Sequence, residues 1–167
     1  MEIKGKVFVF GDNINTDFII SGRYKFSITD LNELAKHIME DIRPGFYDEL
    51  DHGDSILVAG ENFGMGSSRE QAPLALKAAG INAVVANSFA RIFFRNAFNI
   101  GLPLIEVDTS GIEEGDYLKI DLESGILRNT TKSSQIKVSP LPKVMREILK
   151  EGGMISYFKK YKDIKLV

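Results

Sequence analysis

The order of apolar runs between residues 55 and 106 constrains the fold of this chain more than any other feature. "SILVAG" is a short apolar run of the kind carried by a strand buried on both faces, and "NAVVAN" and "LPLIEV" repeat it. Between them stand "SSREQAPLALKAAG" and "SFARIFFRNAFNIG", each a helical pattern headed by serine as the expected N-cap and stopped by a glycine, Gly80 or Gly101. Strand, helix, strand, helix, strand predicts βαβ units and a parallel sheet covered by helices, because parallel neighbours need a crossover between them.

The flanking segments extend this α/β reading. "IKGKVFVFG" alternates Ile3, Val7 and Val9 with more polar neighbours as a half-buried strand does, and it runs out through Gly11 into the Asx-rich "DNINTD". Leu31, Leu34, Ala35 and Ile38 predict a helix ending near Met39, capped by Thr29 or Asp30, with Asp30 and Glu33 at capping-box spacing. "DYLKIDLESGILRN" predicts a hairpin turning at Ser124-Gly125, with "QIKVSP" as a further strand. Pro142 opens "PKVMREILKEGGM", a helix broken at Gly152-Gly153, and a last short helix precedes a charged tail. With no internal repeat or low-complexity linker, a single domain over 1–167 is expected, a mainly parallel sheet flanked by helices plus an antiparallel hairpin region.

Composition narrows the partners. The 21 Lys and Arg against 23 Asp and Glu offer no basic field, so nucleic acid is not expected. The opening "MEIKGKVFVFG" has no basic segment leading a long apolar stretch, and no apolar run approaches the ~20 residues of a membrane span, so a cytoplasmic protein is expected. Zero cysteines exclude disulfides, thiolate zinc sites and iron–sulfur ligation by this chain, and no metal ligands are assigned here.

The stretch "GENFGMGSSREQAP" carries the chemistry. A Walker A loop beginning at Gly60 would need glycine where Met65 stands, and a dinucleotide fingerprint beginning at Gly64 meets Arg69 in place of its third glycine. The nucleophile elbow of serine hydrolases is absent, and neither His37 nor His52 is marked as a base. What remains is a glycine-flexed turn leading into a helix, gathering backbone N–H groups, two hydroxyls and a guanidinium. Such a turn suits a small dicarboxylate or a developing oxyanion, with Arg69 able to hold a carboxylate bidentately. In the simpler reading Ser67 or Ser68 only caps the helix and Arg69 solvates its first turn. Against it stands the helix macrodipole, which disfavours a cation there.

Three separated stretches, "FGDNINTDFII", "GENFGMGSSREQAP" and "NSFARIFFRNAFNIGLP", resemble in order the small subunits of 3-isopropylmalate dehydratases, the swivel domain of the aconitase superfamily. The resemblance covers most of residues 7–106. It implies a swivelling β/β/α fold and a hydro-lyase that removes water from a hydroxy acid and adds it back. It also implies a separate large subunit carrying a [4Fe–4S] cluster, in a heterodimer or heterotetramer, which agrees with the lack of cysteine here.

On that resemblance Ser67 corresponds to the catalytic base, acting as an alkoxide, while Ser68 and Arg69 steady it and grip a substrate carboxylate. Asp17 corresponds to an aspartate that orients a histidine of the large subunit; on local grounds alone it would be an Asx-turn. Met65 stands where many members have cysteine. Tyr24, Lys25, Phe26 and Ser27 correspond to the reader of the substrate's variable group. Phe26 would suit an isopropyl group, and Lys25 or Arg23 would suit the further carboxylate of homoaconitate or citrate. Arg91 and Arg95 share a helix face and are candidates for subunit contacts or for bracing the site, with no catalytic role assigned. A stand-alone carboxylate-binding module is the competing class, and it leaves Asp17 without a purpose.

Overall fold

The computed structural model describes residues 1–162, and residues 163–167 of the expected charged tail lie outside them. In chain order the elements are β1 (Glu2–Val9), α1 (Thr16–Ile19), α2 (Gly22–Lys25), α3 (Leu31–Ala35), α4 (Phe46–Glu49), β2 (Ser55–Ala59), α5 (Gln71–Ala78) and β3 (Ile81–Ala86). They continue with α6 (Arg91–Asn99), β4 (Leu104–Glu106), β5 (Tyr117–Asp121), β6 (Ile126–Asn129), β7 (Ser134–Lys137), α7 (Lys143–Lys150) and α8 (Met154–Tyr161).

The seven strands among the described residues share one sheet, in the order β4-β3-β2-β1-β5-β6-β7. From β4 to β1 the pairings are parallel, as the βαβ pattern predicts, with Lys6 opposite Ser55 and Val9 opposite Val58. Beyond β1 every pairing is antiparallel, and the hairpin joins the sheet directly by setting Gly5 opposite Leu118. The sheet is therefore mixed, with β1 as the seam between its parallel and antiparallel halves.

Both faces of the parallel half are covered, which explains the unbroken apolar runs. In β2, Leu57 and Ala59 face a core cluster built with α3, α5 and α6, while Ile56 and Val58 face a second one built with the antiparallel strands and α7. The first cluster also takes Phe8, and the second takes Ile3 and Val7. Burying residues of this size contributes roughly 1.5–3 kcal/mol each. Val9 departs from the expected alternation. It is the last residue of β1, exposed, and its N–H donates to Glu114 Oε2 at 2.6 Å.

Several helix ends also differ from the sequence expectation. Asp30 caps α3 as its spacing predicts, accepting from the Glu33 N–H at 2.9 Å. That helix stops at Ala35, short of Met39, which adopts φ 57° and donates its N–H to Ile19 O. Neither serine-headed helix is serine-capped. α5 begins after Glu70 and α6 after Ala90, neither with a side-chain cap. Ser88 instead braces a loop, accepting from the Asn62 N–H at 2.8 Å and donating to Glu61 Oε2 at 2.6 Å.

Candidate active site

The site grows from the carboxyl ends of β1, β2 and β3, where loops of a parallel sheet gather ligands. Strand-like pairing continues past the strands and locks those loops together. Gly60 donates its N–H to Gly11 O, Asn13 to Glu61 O, Gly64 to Ile14 O and Thr16 to Met65 O. Asn15 and Met65 form a parallel bridge, and so do Phe63 and Phe89 from the loop after β3. The Asx-rich loop and the glycine-serine loop therefore act as one unit, closed by the Thr16 hydroxyl donating to Ser67 O at 2.9 Å.

This zipper answers why the turn reads Gly-Met-Gly. Gly64 has φ +82°, and a Cβ there would fall 2.2 Å from the Phe93 ring. At Gly66, with φ +94°, a Cβ would fall 2.7 Å from Asn15 Oδ1. That oxygen accepts the Asp17 N–H at 2.9 Å and so opens α1. Only glycine combines the left-handed backbone with such close approach. Met65 contributes its backbone to the zipper and takes a 3.6 Å contact from Asn62 Nδ2 on its sulfur.

Ser67, Ser68 and Arg69 lie in the connection before α5, so the expectation that they form its first turn is overturned. A macrodipole argument for an anion at Arg69 goes with it. The unmet charge is satisfied within the chain: Arg69 Nη1 stands 2.6 Å from Asp17 Oδ1. The Arg69 side chain is 15% exposed, and its Nη1, buried, makes no aligned hydrogen bond. The contact is thus an ion pair whose N–H directions remain open to a better-placed acceptor.

A cleft of about 320 Å³ opens beside this pair, lined by Ser67, Ser68, Arg69 and Thr16 on one side and Arg91, Ile92 and Asn96 of α6 on another. Its volume is large enough for a small carboxylic acid. Ser68 Oγ takes a long 3.4 Å contact from Asn96 Nδ2, whereas Ser67 Oγ has no hydrogen-bond partner among the described residues. Asp17 reaches the cleft through Arg69.

Tyr24, Lys25 and Phe26 do not line the cleft. They belong to α2 and its C-cap, which comes near Arg69 at Gly22, where a Cβ would meet both the Phe26 ring, at 3.5 Å, and Arg69 Nη1, at 3.8 Å. Tyr24 is stacked on His37 at 4.0 Å, Lys25 Nζ lies 5.2 Å from the Phe26 ring centre, and Phe26 is 80% exposed. Arg23 pairs with Asp41, and the Ser27 hydroxyl donates to Arg23 O. Both histidines are engaged away from the cleft, His37 with Glu40 and His52 with Ala79 O.

Thr16 and Asn96 are cleft residues to which the sequence alone assigned no role, and Arg91 is one it offered only for subunit contacts or for bracing the site. The signal available for Arg91 and Asn96 was positional: α6 follows β3, and parallel-sheet sites use the loops after strands. For metals, the sequence has no cysteine, and among the described residues no group of three or more His, Asp or Glu could hold an ion. The residues of this chain do not fit an iron–sulfur cluster. No helix among the described residues is long and apolar enough to cross a membrane.

Comparison with known proteins agrees with this architecture. Residues 25–109 match the Aconitase C-terminal domain family. The chain is 55% identical over 166 residues to 3-isopropylmalate dehydratase small subunit 2 of Archaeoglobus fulgidus, covering 99% of this chain and 100% of that one. It is 51% identical over 160 residues to small subunit 1 of Thermotoga maritima, covering 95% and 96%. The crystal structure of 3-isopropylmalate dehydratase from Methanocaldococcus jannaschii superposes with a TM-score of 0.90 at 48% identity, covering 97% of this chain and 96% of that one. Aconitase X of Thermococcus kodakaraensis, at 19% identity and a TM-score of 0.51, shares the fold alone. With relatives this similar along nearly its whole length, the chain belongs to the family of 3-isopropylmalate dehydratase small subunits.

Proposed function

We propose that this chain is the small subunit of a two-subunit hydro-lyase that interconverts 2-isopropylmalate and 3-isopropylmalate, a step of leucine biosynthesis in the cytoplasm, and that it acts as one swivel domain. The observation that carries the reading is that Ser67, Ser68 and Arg69 line one small cleft while Asp17, from a loop far away in sequence, pairs with Arg69 beside it.

Dehydration removes a proton from the carbon beside a carboxylate; the electron pair left behind forms the double bond as hydroxide departs from the neighbouring carbon. Ser67 Oγ, as the alkoxide, takes that proton. Arg69 fixes the adjacent carboxylate, which keeps the reacting carbon within reach of the serine and stabilises the charge that builds on the carboxylate in the transition state. Ser68, whose Oγ takes a long contact from Asn96, donates to the same anion in this reading. Asp17, half exposed and paired with Arg69, receives an imidazole from the partner in this reading.

The Lewis acid that would accept the departing hydroxyl, expected as a [4Fe–4S] cluster, has no ligands here and belongs to the large subunit. Purifying the chain with its bound partner and assaying iron, sulfide and turnover tests the proposal, with homoaconitate, citrate and dimethylmalate as competing substrates. The chain alone is expected to be inert; dehydratase activity in the single chain would refute the two-subunit reading.

A further inference from the structure

We infer that Arg91 is the second carboxylate seat of this cleft, facing a substrate that Arg69 holds by its other carboxylate. The assignment rests on reading the cleft as a hydroxy-dicarboxylate site and adds a specificity residue to it. Charge accounting leads there. Two cations line the cleft, and Arg69 is matched by Asp17. The Arg91 side chain makes neither an ion pair nor a hydrogen bond with any described residue. A dicarboxylate brings two negative charges, of which Arg69 can take one; the charge left over meets Arg91.

Its position supports the role. Arg91 is the first residue of α6, where the helix offers a cation nothing and no acidic side chain follows in the first turn. Ile92, lining the cleft beside it and 52% exposed, supplies apolar surface next to that charge. Together they present a cation adjoining a hydrophobic patch, the pairing that a branched-chain dicarboxylate matches. Arg95, one helical turn further on, is also exposed and unpaired but does not line the cleft, which makes it the internal control.

The test uses the assembled two-subunit enzyme with Arg91→Gln, Arg91→Lys and Arg95→Gln, assayed with 3-isopropylmalate and inhibited by succinate or by butyrate, which lacks the second carboxylate. Loss of a charge-assisted contact should raise KM about tenfold to a hundredfold in Arg91→Gln with kcat little changed. Lysine should restore part of the loss, Arg95→Gln should leave KM unaltered, and the advantage of succinate over butyrate should shrink in Arg91→Gln alone. An unchanged KM overturns the assignment. So does a weakened subunit association, read by sedimentation, with KM normal once the partner is saturating, since Arg91 would then be an interface residue. Full turnover in Ser67→Ala would remove the reading of the cleft itself, whereas an inactive Ser67→Ala beside a normal Arg91→Gln removes only Arg91.

Discussion

Asp17 and Arg69, 52 positions apart in sequence, form an ion pair of 2.6 Å at the mouth of the cleft. The proposed chemistry gives each a different partner, an imidazole for Asp17 and a substrate carboxylate for Arg69, so in the lone chain each occupies the other's seat. With Asp17 54% exposed, the pair is worth only ~0.2–1 kcal/mol. Asp17→Asn should therefore tighten succinate binding by the isolated chain about two- to fivefold, as followed by NMR of the arginine side-chain N–H groups. In the assembled enzyme the same variant should lose turnover. Equal succinate affinity in both proteins would show that the carboxylate and Asp17 do not compete.

Ser67→Ala in the assembled enzyme should lower kcat by ~100-fold or more, the scale of a general base. Because Ser67 Oγ has no hydrogen-bond partner among the described residues and caps no helix, its loss should leave the melting temperature within about a degree or two. Ser68→Ala should cost less. Near-normal turnover in Ser67→Ala with a collapse in Ser68→Ala would exchange the two roles.

Gly64→Ala tests the loop zipper. The added methyl meets the Phe93 ring at 2.2 Å on a backbone with φ +82°, so the glycine-serine loop must move away from α6. Destabilisation of about 2–4 kcal/mol is expected from the clash and the left-handed backbone together. Amide signals of residues 61–69 should shift most. A variant as stable and active as the parent would mean that this close approach does not hold the loop.

The parallel half of the sheet was legible because strands buried on both faces have no polar alternation to hide, and glycine stops such as Gly80 are local. Helix starts were less legible. A serine ahead of a helical run reads as a cap, yet Ser88 serves a neighbouring loop, a long-range bond that spacing cannot encode. Of the residues the site motif named, Ser67, Ser68 and Arg69 line one cleft, but the Asp17–Arg69 pair depends on the β1–β2 pairing, which sets the two loops side by side. Arg91 was read only as a candidate for subunit contacts or for bracing the site for the same reason: only the folded cleft shows that its side chain has no partner among the described residues.

Acid should weaken the fold through Arg43. Its guanidinium sits 5.3–5.8 Å from the ring centres of Phe8, Phe10 and Phe46 and donates to Glu49 at 2.6 and 3.1 Å and to Glu114 at 2.7 Å. The hydrogen bonds from Arg43 hold the Glu49 carboxyl below its ordinary value, while the same bonds raise the guanidinium further above its own. A depressed carboxyl contributes stability above its unfolded value, about 4.3, and loses it as pH falls from there through the native value. Melting temperature should drop on acidification in that window, and Arg43→Met, which keeps the ring contacts, should flatten the part of the drop due to Glu49. The same acid slope in Arg43→Met would assign it to other carboxylates.

Phe26 is the most exposed large hydrophobic residue among those described, at 80%, and its ring and the Arg69 guanidinium both come close to Gly22. A side chain so placed gains nothing from water and is available to an apolar group of a substrate held by Arg69 once a partner closes over the loop. If it reads the isopropyl group, Phe26→Ala should raise KM for 3-isopropylmalate about tenfold, from ~1–3 kcal/mol of lost apolar contact, with little effect on homoaconitate. Lys25→Ala should change little, because its ammonium rests over the Phe26 ring, 5.2 Å from the centre, and can extend into solvent. Assaying both variants on both substrates decides between an apolar and a charged variable group. An enzyme sensitive to Lys25 and indifferent to Phe26 would move the substrate from isopropylmalate to an acid with a further carboxylate.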